Sequence, residues 1–238
     1  EQVERVENDA LLLSNSFLLE GLLEAETSGG EFDGISASTW KEQLSGTMAT
    51  LMEVKSTYQK VRYIDETGQE IIRVERDNAN LDQVETLPQS ALRNRKDRPY
   101  VAAALTLNPG EIHASPITLQ RRDGEVLEEF GGVAYYAEPV FDQAGRRRGL
   151  IMINVFADSM FAVADELEES ETDEGEDEDL FIINADGYYL KHEDEEKTWG
   201  FELGHEETLH ADYGEEAAET VLSCDQGVVR AGSSLIAF

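Results

Sequence analysis

From Val3 to Ala25 apolar positions recur at helical spacing: Val3, Val6, Ala10, Leu13, Phe17 and Leu22 share one face. The spacing predicts an amphipathic helix over 3–25. Leu11, Leu12, Leu18 and Leu19 widen that face beyond one stripe, giving it surface for a core and for a partner helix. The stretch ETSGGEFDG breaks the pattern. A second helix is expected over about 38–57, with Ser36 or Ser38 as its cap. The period then falls to two. Strands are expected at 58–65 and 69–76, joined by Asp65–Gly68.

Residues 77–100 are polar, hold Pro88 and Pro99, and read as a long loop with a short helix. Short strands follow near 112–118, 125–128, 132–140 and 148–156, with a tight turn at Asp123-Gly124. GLIMINVF is apolar without alternation, which marks a central strand. ADSMFAVADELEES reads as a helix. Strand–turn–strand resumes at LFIINADGYYL, then a helix over about 206–222 and strands over 227–238. Three stretches share one design: VRYIDETGQEIIRV, PVFDQAGRRRGLIMINV and FIINADGYYL. The pattern predicts two α/β units of unequal size. Its segments are 1–37, 38–160, a helix and connector over 161–179, and 180–238.

Charge narrows the functions. The 238 residues hold 51 acidic and 19 basic side chains, net −32. Such a surface repels phosphate backbones and anionic lipid, which argues against nucleic-acid binding. The imbalance is concentrated: residues 151–238 hold 25 acidic and 3 basic residues, and 165–179 hold 11 acidic and none basic. Acid-rich, lysine-poor composition fits a halophilic setting, where salt screens self-repulsion. Cys224 is a lone cysteine, so neither an internal disulfide nor a thiolate zinc cluster is expected. The acidic run lacks the ligand spacing of a calcium loop. The chain begins at Glu1 and stops within a strand-like SSLIAF, as an excised fragment of a membrane-bound protein would.

Catalytic signatures are lacking. His113, His192, His205 and His210 form no metal motif, and no nucleophile elbow or phosphate loop is present. No enzyme activity, metal or cofactor is expected. Arg93, Arg95, Lys96 and Arg98 cluster before Pro99 and Tyr100, unusual against so acidic a background. They fit two roles: a carboxylate-binding loop, or pairing with surface acids.

Read in order, VRYIDETGQEIIRV, LRNRKDRPYVAAAL, GEIHASPITLQRRDGEV, VAYYAEPVFDQAGRRRGLIMINVFADSM and LFIINADGYYLKHEDEEKTWGFEL resemble the double Cache sensor domain of prokaryotic receptors: histidine kinases, chemoreceptors and diguanylate cyclases. The resemblance spans nearly the whole chain. It implies an α+β fold: a long N-terminal helix followed by two PAS-like modules, each with an antiparallel sheet. The hairpins are then scaffold, with Asp65 and Gly68 serving turn chemistry. It further implies an extracytoplasmic, membrane-anchored sensor, with a small-molecule ligand in the membrane-distal module over 38–160 and the module over 180–238 membrane-proximal. The ligand would lie between the sheet and a lid of Asp97, Arg98, Pro99 and Tyr100, facing Arg62, Ser115 and Tyr135. Arg62 alternates with Val61 and Tyr63, so one set faces the pocket. DRPY stands where the amino-acid-binding branch has Arg-Trp-Tyr, which points to a small carboxylate rather than an amino acid. The N-terminal helix is the expected homodimer contact. The alternative is a free-standing solute-binding or adhesion module without signalling.

Overall fold

The computed structural model describes residues 2–77, 80–122, 125–127, 131–162, 180–232 and 234–238. The Asp123-Gly124 turn and nearly all of the acidic connector lie outside them. Contacts divide the chain into two compact units: 1–116 with 133–156, and 117–132 with 157–238. Linear boundaries drawn from the sequence keep 117–132 with the first module; the contacts put it with the second.

The N-terminal helical run is interrupted once, into α1 (Gln2–Ser14) and α2 (Phe17–Thr27). Asn15 Nδ2 and Ser14 Oγ both bond back to the Leu11 carbonyl, and the Ser16 backbone leaves helical geometry. Ser16 Oγ then accepts from Leu19 N, starting α2. A small hairpin, β1 (Glu31–Phe32) and β2 (Ile35–Ser36), leads into α3 (Ala37–Val54). Of the two cap candidates, Ser36 is the cap, its Oγ accepting from Thr39 N. Gly21 in α2 is required by the Trp40 ring of α3, because a Cβ there would approach it to 2.7 Å.

The first unit's sheet contains β3 (Tyr58–Asp65), β4 (Glu70–Asp77), β5 (Asn80–Thr86) and β6 (His113–Ala114). The short strands β7 (Thr118–Leu119), β8 (Arg121–Arg122) and β9 (Glu125–Val126) belong to the second unit. The chain then returns through β10 (Gly132–Phe141) and β11 (Arg147–Phe156). The order is β5-β4-β3-β11-β10-β6, every neighbouring pair antiparallel. GLIMINVF is central, as its unbroken apolarity predicts. β5 lies where a loop was expected. Its side chains are mostly exposed, so an edge ladder with β4 holds it rather than burial.

Register sorts the faces. Val61, Tyr63, Ile72, Val74, Ile151 and Ile153 share one face, toward α3. Arg76 fixes that layer: buried, it donates from Nε to Tyr58 O at 2.8 Å, from Nη1 to Leu81 O at 2.8 Å, and from Nη2 to Met52 O and Lys55 O. The opposite face carries Lys60, Arg62, Ile64, Leu150, Met152 and Asn154. A six-residue helix, α4 (Pro99–Ala104), covers its apolar end through Val101 and Ala104, packed on Ile64, Ala137, Leu150 and Met152.

The second unit adds β12 (Ile182–Ile183), β13 (Tyr189–Lys191), β14 (Val228–Ala231) and β15 (Ser234–Ala237). The expected helix over 206–222 is two helices, Leu209–Tyr213 and Glu215–Ser223, divided at Gly214. Ala157, Phe161 and Leu190 centre its core.

The repeated stretches share one device. Asp65 Oδ1 accepts from Thr67 N and Gln69 N, Asp142 Oδ1 from Ala144 N and Arg146 N, and Asn184 Oδ1 from Asp186 N and Tyr188 N. In each, the glycine three residues on, Gly68, Gly145 or Gly187, takes positive φ.

Candidate functional site

Arg62 stands on β3 opposite Met152 of β11, on the face beneath α4. The side-chain alternation is thereby resolved: Arg62 takes the α4 side, and Val61 and Tyr63 take the other. It is buried, with 4% exposure. Its Nη2 donates to Asn154 Oδ1 at 2.7 Å and to Met152 Sδ at 3.1 Å. Its Nη1 lies 3.6 Å from Glu70 Oε1. Its Nε is buried and has no hydrogen-bond partner among the described residues. Burial opposes the guanidinium charge, but the Tyr100 hydroxyl, the Glu70 carboxylate and Tyr135 outweigh it and hold the group firmly protonated.

Tyr100 enters from α4 and Tyr135 from β10. Their rings stack with centroids 4.9 Å apart and planes 6° apart, and both pack on the apolar cluster under α4. Three of the expected site residues, Arg62, Tyr100 and Tyr135, therefore meet. Ser115 sits at the edge, its Oγ accepting from Tyr135 N at 2.9 Å and donating to Pro116 O. It positions the strand that carries Tyr135. Asp97 and Arg98 are exposed at the start of α4, and Arg98 has no ion pair among the described residues.

Glu70 is a member that sequence reasoning missed. Fully buried, it accepts from Arg93 N at 3.0 Å and Arg95 Nε at 2.9 Å, and faces Arg62 and Arg73. Burial alone would raise its pKa; Arg62, the Arg93 amide, Arg95 and Arg73 reverse that and hold it below the usual carboxylate range. The basic cluster thus divides. Arg95 pairs with a buried acid, and Arg98 makes no ion pair among the described residues. The 93–96 segment docks on the Asp65–Gly68 turn: Arg95 N donates to Gly68 O, and a Cβ on Gly68 would meet Lys96 backbone at 2.7 Å. Gly68 therefore serves close approach as well as positive φ. Nearby, burial lowers the Lys60 pKa to about 8 against the pull of Glu75. The floor is a guanidinium-rich patch neutralised mostly from within.

A buried arginine beside two stacked tyrosines is an arrangement that can hold an anionic group. The family model described as bacterial histidine kinase, sensor domain, matches residues 19–232. The chain belongs to that family. It is a sensor domain of the signal-transduction receptor type, and solved structures that share its fold include extracellular and periplasmic sensory domains. No curated protein matches the sequence. Among solved structures, a domain described as from a sensory box/GGDEF family protein of Vibrio parahaemolyticus superposes with TM-score 0.75 at 20% identity, covering 98% of this chain and 81% of that one. The extracellular domain of the histidine kinase vpHK1S-Z8 gives TM-score 0.75 at 18% identity, over 99% and 79%. The periplasmic sensory domain of the Campylobacter jejuni chemoreceptor Tlp1 gives 0.58 at 11%, over 99% and 84%. These likenesses bear on the fold, and they agree with the α+β architecture expected from the sequence.

Proposed function

We propose that the first unit senses a small carboxylate on the α4-covered face of its sheet. The observation that carries this reading is Arg62, a buried guanidinium with Nε unpartnered beneath the stacked Tyr100 and Tyr135. A carboxylate entering there accepts charge-assisted hydrogen bonds from Arg62, worth more than neutral ones. The Tyr100 hydroxyl adds a donor and the two rings close over the ligand. Arg98 and Asp97 form the rim, where Arg98 attracts the anion, and Ser115 keeps Tyr135 in place. In the described arrangement Tyr100, Leu105, Leu107 and Tyr135 fill this face, so entry requires α4 to move. That movement is the signal, and it works only through differential affinity for two states.

In the full-length protein this domain is membrane-anchored on the extracytoplasmic side, with a histidine kinase output beyond it. Exposed Val3, Leu11, Leu12 and Phe17 support a homodimer contact along the N-terminal helices. The test is thermal unfolding against a panel of small mono- and dicarboxylates, amino acids and sugars. A carboxylate should raise the midpoint by mass action, and Tyr100→Ala with Arg98→Ala should abolish the shift while the protein stays folded. Equal shifts in wild type and variant, or a response confined to sugars, would sink the assignment.

A further inference from the structure

The second unit contains a cleft of about 510 Å³, within the range of small-molecule sites. Every residue lining it belongs to that unit. The apolar part is Leu119, Phe161, Leu190 and Trp199, and the polar part includes Asp158, Lys191 and Glu195.

Trp199 is held there at a cost. It takes φ 62 and ψ 23, left-handed geometry that a bulky side chain rarely adopts. Backbone bonds fix it: its N donates to Tyr189 O at 2.8 Å, and its carbonyl accepts from Glu202 N and Leu203 N. Gly132 leaves room for the ring, because a Cβ there would lie 2.4 Å from the indole. A strained aromatic, seated by a glycine and turned to a cleft, is the kind of outlier that marks a site. Also lining the cleft, the Asp158 carboxylate lies against Gly131, 3.5 Å from where a Cβ would stand. Asp158 and Glu195 line the cleft together with Lys191 and His192, in a stretch where 25 acidic residues stand against 3 lysines and arginines over 151–238. The field inside such a concavity favours cations, and an indole face adds cation–π attraction.

We propose that this cleft binds a small organic ammonium ion with an apolar body, at a site separate from the carboxylate site of the first unit. The ammonium sits between Asp158 and Glu195, and the apolar body lies against Trp199, Phe161 and Leu190. This assignment stands independently of the Arg62 reading.

The chain has two tryptophans, and Trp40 is buried in the first unit, so indole fluorescence reports on the cleft. The experiment titrates the whole domain, at moderate salt, with phenethylammonium, its isosteric alcohol 2-phenylethanol, and phenylacetate. Saturable fluorescence change with the ammonium, at least tenfold tighter than with the alcohol or the anion, is the expected result. Trp199→Phe should remove the signal while calorimetry still detects binding. The pair Asp158→Asn and Glu195→Gln, both at exposed positions, should weaken the ammonium at least tenfold and leave the alcohol unchanged. Equal affinity for the three probes, no saturation at millimolar ammonium, or a charge-removed variant that binds as wild type would overturn the proposal. Should the double variant unfold, Glu195→Gln alone, at the start of a 3-10 turn, carries the same test with a severalfold expected loss.

Discussion

The two units handle charge in opposite ways. Beneath α4 the first unit buries Arg62 and Glu70 against each other and seals them with stacked tyrosines. The second keeps Asp158 and Glu195 exposed at a cleft that is also lined by apolar side chains. A buried pair is costly to desolvate and is strongly coupled to the backbone around it. Exposed carboxylates cost little and select by field. On the readings proposed above, a ligand at the first region would have to disturb an internal pairing, whereas one at the second would meet charges already exposed.

The sharpest way to break that contrast is Glu70→Ala. It leaves Arg62 and Arg95 without their buried counter-charge, and should cost about 3–5 kcal/mol, read as a drop in the denaturant midpoint. Acid should do the same more gently. Glu70 is held below its ordinary pKa, so its contribution is full above the unfolded value near 4.5, and is lost as pH falls through the lower folded value. Glu70→Gln should flatten that acid limb.

The next largest effect has the opposite sign. Glu138 on β10 is buried with Oε2 unpartnered, and burial raises its pKa to about 7. Between about 4.5 and 7 the folded state holds a proton that the unfolded chain releases. Stability should therefore fall as pH rises through that window, by at most about 3 kcal/mol, and Glu138→Gln should remove the slope. Urea midpoints across pH 4 to 8 measure both carboxylates at once.

Trp199→Ala sharpens the comparison from the other side. Lost packing should destabilise the second unit by about 2 kcal/mol, with the left-handed backbone strain retained because alanine keeps the Cβ. Hydrogen exchange should speed up over 180–238 and stay unchanged over β3, β4 and β11. The smallest effect expected is that of Tyr100→Phe, which keeps the ring stack and removes one donor. It should weaken carboxylate binding by about 1 kcal/mol, near fivefold to tenfold, with the melting temperature of the unliganded domain preserved.

Much of the first unit was legible because its signals are local. Period-two alternation marked β3 and β4, the Asp–x–x–Gly spacing marked the turns, and unbroken apolarity marked β11. β5 was not legible, since a polar edge strand is made by backbone pairing with β4 and leaves no burial pattern. The break at Asn15-Ser16 hid inside a helical apolar period that continues across it. Arg62, Tyr100 and Tyr135, placed together in the sequence only through the family resemblance, do meet, though alternation alone left two choices of face. Glu70 was hidden among 51 acids. Its position directly after the first turn, at the head of β4, was the available signal. The second unit's cleft draws its walls from four separated segments, and no window of sequence contains it.

Arg76 has a consequence for how force travels. One side chain grips carbonyls on α3, β3, β5 and the α3–β3 connection, with Lys55 among them. Helix and sheet are thereby tied together through a single buried side chain. Sliding of α3 over β3 or β4 would have to break these bonds, so the arginine couples the two layers against shear.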